Sequence, residues 1–177
     1  MGDINDPHAA LLIIAVCSRY QDAFTWTQQQ ACEHFGPLRA ESPFFEFVET
    51  NYYEATMGTD LKKRFFTFQN LIDPGELPQI KRLTNEWELR YAQQSEHKEP
   101  RPLNLDPGYL TLAKLVLAST KDYAHRIYLR DGIYAEVTLN YRHGGWKHGE
   151  WTFPDYRRED YQEFFSSCRQ DLRPATN

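Results

Sequence analysis

Apolar positions along the chain change period several times, and each change marks an element. Leu11-Leu12-Ile13-Ile14-Ala15-Val16-Cys17 is an unbroken apolar run, the pattern of a central strand covered on both faces. Ser18 is placed to cap a following helix, in which Phe24, Thr27, Ala31 and Phe35 fall at helical spacing before Gly36-Pro37 stops it. Phe44 to Val48 alternates as a strand does, Thr50 to Gly58 is irregular and aromatic, and Lys63 to Phe68 reads as a third strand. Leu77, Ile80, Thr84, Trp87 and Tyr91 then repeat at 3-4-3-4 spacing, which predicts a long amphipathic helix. Ser95 to Pro102 is polar and twice broken by proline, so it reads as a loop, followed by a short strand over Leu103 to Leu105.

One turn motif occurs twice, as Ile72-Asp73-Pro74-Gly75-Glu76-Leu77 and as Leu105-Asp106-Pro107-Gly108-Tyr109-Leu110. Asp73 suits an N-cap, Pro74 the first helical position, and Glu76 completes a capping box. By the same reading Asp106 caps a helix over Leu110 to Ser119, although Leu115-Val116-Leu117 alone would also suit a strand. A capping carboxylate repels an anion, so both motifs read as helix starts rather than phosphate sites, although Asp106 could instead face a cationic group or metal. Tyr123 to Leu129 and Ile133 to Tyr141 form a hairpin about Asp131-Gly132, then comes a Gly- and Trp-rich loop from Arg142 to Asp155. A last helix carries Tyr161, Phe164, Phe165, Cys168 and Leu172 on one face. The expected architecture is a single α+β domain with a mixed β-sheet and helices packed on it, including a C-terminal hairpin followed by a helix. Residues 1–8 and 173–177 are expected to be flexible ends.

Composition changes this picture in three ways. A chain of 177 residues can bury roughly 70% of its unfolded surface in one core. The aromatic share of 15% means that rings should dominate that core, with partners required for buried hydroxyl and indole groups. A net charge of −5 argues against a nucleic-acid or anionic-membrane surface. Cys17, Cys32 and Cys168 are far apart and make no metal spacing, as expected of reduced thiols in a cytoplasmic protein. Asp3 and Asp6 replace a basic leader, and the run from Ala9 to Cys17 is about half the length that spans a bilayer.

Candidate chemistry gathers in the hairpin. With Arg130 paired to Ile133, Leu129 opposes Tyr134, Ile127 opposes Glu136, His125 opposes Thr138, and Tyr123 opposes Asn140. His125, Glu136 and Thr138 then share one face beside Lys121-Asp122. A His next to a carboxylate can serve as general acid or base, because the carboxylate orients the ring and raises its basicity. The plain alternative is the wet face of a half-solvated hairpin. No Walker loop and no G-x-G-x-x-G occurs. His143, His148 and Glu150 lie in the Gly-rich loop with nothing to fix them as ligands, so no metal is expected. Lys62 to Phe68 mixes basic and aromatic residues as an RNA-stacking strand would, but buried Phe side chains account for it. No Ser or Cys nucleophile sits in an elbow.

Four stretches together resemble a bacterial domain-of-unknown-function family, the one numbered 4416, over nearly the whole chain. They are TNYYEATMG from Thr50, FQNLIDPGELPQIKRLTNEWE from Phe68, NLDPGYLTLAKLVLASTKDYAHRIYLRDGIYAEVTLNYR from Asn104, and WTFPDYRREDYQEFF from Trp151. The resemblance brings no established reaction, cofactor or catalytic residue. Some members carry a GTP-binding label, which implies nucleotide binding without a phosphate loop here. The preferred expectation is binding of a small polar or anionic ligand in a pocket beside residues 123–141. Lys121 and Thr138 would line it, Tyr52, Tyr53 and Arg64 would close it, and His125 with Glu136 would supply any catalysis. The alternatives are nucleotide binding, or a non-catalytic interaction module built on exposed aromatics around Trp146 and Trp151.

Overall fold

A computed structural model describes residues 2–172, so the expected flexible tail at 173–177 lies outside the described residues. Among these residues nine strands form one sheet: β1 (Ala10–Ser18), β2 (Leu38–Glu41), β3 (Phe45–Glu46), β4 (Lys62–Ile72), β5 (Asn104–Leu110), β6 (Lys114–Ser119), β7 (Ile127–Arg130), β8 (Ile133–Arg142) and β9 (Gly145–His148). Their order is β2-β4-β1-β5-β6-β8-β7, with β3 on β4 and β9 on β8. Every ladder is antiparallel. Four helices complete the α+β domain: α1 (Gln21–Phe35), α2 (Glu54–Met57), α3 (Leu77–Gln94) and α4 (Glu159–Gln170).

β1 occupies the middle because Ala10 to Cys17 is an unbroken apolar run, and all nine positions are buried. Alternation splits them between two cores. Leu11, Ile13 and Ala15 meet Phe65, Leu117 and the α4 residues Tyr161, Phe165 and Cys168. Leu12, Ile14 and Val16 meet Phe24 and Ala31 of α1 and Ile80, Trp87 and Tyr91 of α3. The result is three layers, with α1 and α3 on one face of the sheet and α4 on the other. Ser18 ends β1 and is not the N-cap of α1. Its hydroxyl accepts from the Tyr20 N–H at 3.0 Å and donates to the Pro102 carbonyl at 2.7 Å.

The two Asp-Pro-Gly motifs part company. In the first, Asp73 accepts from the Gly75 N–H at 2.7 Å and Glu76 reaches back to the Asp73 N–H, a full capping box ahead of α3. The second begins no helix. Asp106-Pro107-Gly108 runs inside β5, paired with Ala15, Ile14 and Ile13 of β1, and residues 114–119 form β6. Two physical reasons decide this. The residue matching Glu76 is Tyr109, which cannot close the box. Gly108 also lies under β6, where an added Cβ would sit 2.7 Å from Leu117 Cδ2 and closer still to the Val116 carbonyl oxygen.

The hairpin also differs from its expected register. Arg130 pairs with Ile133, but Tyr128 then pairs with Tyr134 and Ile127 with Ala135, so Leu129 bulges. Residues 120–126 are loop rather than strand, and the expected loop after Arg142 contains β9, which turns back on β8 through His143 and Gly144.

Gly108→Ala should destabilise the protein by about 3 kcal/mol, because the new methyl group meets backbone that cannot yield. Gly132→Ala tests the contrast. Its Cβ meets nothing within 4 Å, leaving only the strain of its φ of 75°. Urea unfolding of both variants measures the difference, and equal losses would contradict the close approach at Gly108.

Candidate functional site

β5 and β6 pair only at Gly108–Leu117, Tyr109–Val116 and Leu110–Leu115. Before Gly108 the ladder stops, and β5 must satisfy its backbone in another way. Pro107 has no N–H to offer. Leu105 donates its N–H to Glu88 Oε1 at 2.7 Å, and its carbonyl accepts from Lys81 Nζ at 2.7 Å. Both side chains come from α3. Where the strands separate, a cavity of about 420 Å³ opens between Asn104 and Asp106 on one side and Leu117, Ala118 and Ser119 on the other.

The floor of the cavity is charged. Lys63 of β4 and Asp155 form an ion pair in which both side chains are almost fully buried. Lys81 pairs with Asp106 Oδ1 at 3.3 Å, and Asn104 Nδ2 donates to Asp106 Oδ2 at 2.7 Å. Arg101 holds Asn104 and pairs with Glu88 at 2.9 Å. Burial alone would raise the Asp106 carboxyl, but Lys81, Lys63 and the Asn104 amide outweigh it and hold the group below its ordinary 3.8. Burial likewise opposes charge on Lys63, yet Asp155, Cys17 and Asp106 leave its ammonium above the ordinary 10.5. Burial pushes Glu88 above the ordinary carboxylate value, against the pull of Lys81 and Arg101.

Tyr156 is among the residues that line the cavity and is 3% exposed. Its hydroxyl, like that of Tyr161, has no hydrogen-bond partner among the described residues and is enclosed by the core rather than open to the cavity. Burial, then Asp155 and Asp106, keep the Tyr156 hydroxyl protonated. Nearby, burial pushes the Cys17 thiol up to about 12, which leaves it unreactive.

Four of the seven expected site residues line the cavity: Lys121, Glu136, Tyr52 and Tyr53. Lys121 Nζ donates to Tyr52 Oη at 3.0 Å and lies over that ring, so together they form the mouth. The Lys121 bond lowers the Tyr52 hydroxyl below its ordinary 10.0. Glu136 is buried and its carboxylate is held by three side chains. It accepts from Arg126 Nε at 2.7 Å, His125 Nε2 at 3.1 Å and Thr138 Oγ1 at 3.2 Å. Arg126 continues to Ser119 Oγ at 2.6 Å and lies over the Tyr123 ring.

His125 and Glu136 therefore meet, but through the Tyr123–Arg126 turn rather than a paired strand register. His125 is stacked on Trp151 with ring centroids 5.5 Å apart and is outside the cavity lining. Thr138 is also outside it. Arg64 is elsewhere, bonded to the Ser42 carbonyl, paired with Glu41 and laid over Phe44. Trp146 is 6% exposed and donates to Ser166, so it is no surface aromatic, whereas Trp151 is 60% exposed. Lys63, Lys81, Arg101, Asn104 and Asp155 were not anticipated as site residues, whereas the cationic group that Asp106 could face is Lys81. The available signal was the placement of Lys63 and Lys81 at apolar-face positions of a strand and a helix.

The molecule thus defines a class: an antiparallel α+β domain with a charged cavity where two neighbouring strands separate. The chain belongs to the family described as Domain of unknown function (DUF4416), whose model matches residues 8–172. Comparison with curated proteins and with solved structures returns no match. Among the described residues no helix is long and apolar enough to cross a membrane. None of their His, Cys, Asp and Glu side chains form a group of three or more able to hold a metal.

Asp155→Ala strands a buried ammonium and should cost about 3–5 kcal/mol, seen as a fall in Tm. Pairing it with Lys63→Met should recover most of the loss, and a double variant as unstable as the single one would disprove the charge-stranding account. A second expectation concerns acid. Because folding lowers the Asp106 pKa, its contribution is complete above pH 3.8 and disappears as pH falls below that value. Asp106→Asn should flatten this part of the stability-against-pH curve, which denaturant titrations at stepped pH will show.

Proposed function

We propose that this protein binds a small polar or anionic ligand in the cavity between β5, β6 and the Tyr52–Tyr53 segment, in the bacterial cytoplasm. One observation carries the reading: a cavity of about 420 Å³ whose lining brings Lys63, Lys81, Arg101, Asn104, Asp106 and Asp155 together with aromatic side chains. A concave site with convergent polar groups among aromatic walls supports a small polar ligand. The volume falls within the roughly 300–1,000 Å³ common to small-molecule sites. Lys121, Tyr52 and Tyr53 act as the ligand contacts at the mouth, and Glu136 holds Arg126 and His125 in place behind them. The three free thiols and the resemblance to a bacterial family support the location.

A metabolite thermal-shift screen tests the reading. A ligand at 100 times its Kd stabilises by roughly 2.7 kcal/mol, which raises Tm by roughly 5–10 °C in a chain of this size. Lys121→Ala should weaken binding of an anionic hit several-fold while leaving the Tm of the free protein within about 1 °C, since Lys121 is exposed. A screen of small polar and anionic metabolites that yields no shift would sink the proposal.

A further inference from the structure

We infer that the ligand of this cavity is a neutral polyhydroxylated molecule presenting a vicinal diol, either a free sugar or the ribose of a nucleoside. This rests on the cavity being a ligand site. It narrows the ligand's chemistry.

The charges at the floor are already balanced. Lys63 has Asp155, Lys81 has Asp106, Arg126 has Glu136, and Arg101 has Glu88. Lys121, the remaining basic residue of the lining, is at the mouth and donates to Tyr52. An anion reaching the floor would bring a further negative charge toward Asp106 and Asp155, in surroundings that screen charge weakly. A hydroxyl group meets no such penalty. It donates to a carboxylate and accepts from an ammonium or amide at once, so it fits beside an ion pair without disturbing the charge balance. Two adjacent hydroxyls match the neighbouring arrangement of Lys81, Asp106 and the Asn104 amide.

Asp106 is open enough to be reached, with 31% of its side chain exposed. The walls complete the fit. Phe47, Tyr53, Tyr123 and Phe153 all line the cavity, and aromatic faces suit the C–H face of a sugar ring or the plane of a base.

Titration of the intact protein tests the inference, with binding followed by thermal shift and calorimetry. The neutral probes are D-glucose, D-ribose, myo-inositol, adenosine and guanosine. The 2′-deoxynucleosides, which lack the ribose diol, and cyclohexane-1,3,5-triol, an inositol stripped of alternate hydroxyls so that none are adjacent, serve as diol-deficient controls, and inorganic phosphate, malate and GTP as anions. The expected result is a rise in Tm with one neutral class, lost or sharply reduced in its deoxy counterpart. Binding by sugars or by nucleosides identifies the source of the diol. Asp106→Asn, measured by calorimetry well below its own Tm, should weaken that binding by about three- to tenfold, the value of one hydrogen bond. Binding by the anions alone would overturn the diol inference while leaving the cavity as a ligand site. Neutral binding that ignores both the deoxy change and Asp106→Asn would overturn it too. No shift with any probe would overturn both readings.

Discussion

The architecture around the cavity depends on how Leu105 satisfies its backbone. A strand inside a sheet ordinarily bonds to a neighbour on each side. β5 does so with β1 along its length, but with β6 only from Gly108 onward. Leu105, fully buried, keeps an amide and a carbonyl that need partners. Glu88 and Lys81 supply them from α3. These two residues are seven positions apart, two turns along one helical face, so a single helix can take the place of a missing strand. That substitution lets β5 and β6 separate without breaking the sheet. It also brings charged side chains into the interior, where they need further partners.

Those partners come from distant segments. Asp106 answers Lys81, Asn104 answers Asp106, and Arg101 answers both Asn104 and Glu88. Arg101 follows a loop that is itself fastened to α1. Tyr20 and His97 stack with centroids 3.5 Å apart, and His97 shares Asp22 with the Tyr91 hydroxyl. On the opposite side Glu136 gathers Arg126, His125 and Thr138, which fixes the 120–126 loop against β8. Both walls of the cavity are thus set by side-chain networks, while strand pairing supplies the frame between them.

The frame was legible from the residues because its signals are local and strong. The apolar run of β1, the 3-4 spacing of α3 and the capping box at Asp73 each report their own structure. The second Asp-Pro-Gly motif misled for an instructive reason. Its first three residues match the first motif, and the difference lies at Glu76 against Tyr109 and in the approach of β6 to Gly108, which no local pattern records. The hairpin turn was legible, but the bulge at Leu129 was not, since either register leaves side chains of mixed character on each face. The charged floor was hidden for a topological reason. Lys63, Lys81, Asp106 and Asp155 come from four separate elements, and only the strand order brings them together.

The buried charges also bear on why the cavity exists. Replacing a buried ion pair by apolar residues of similar volume is often neutral or stabilising by about 1–4 kcal/mol, so ion pairs are a weak means of stabilising a fold. This chain has an ample supply of large apolar side chains, with eleven Phe and eleven Tyr. It nevertheless places Lys63 and Asp155 among them, beside Phe47 and Tyr156. Stability alone does not explain that choice. What the pair does achieve is positional: it keeps an ammonium and a carboxylate together at the wall of the cavity, where an apolar pair of the same volume would leave only hydrocarbon.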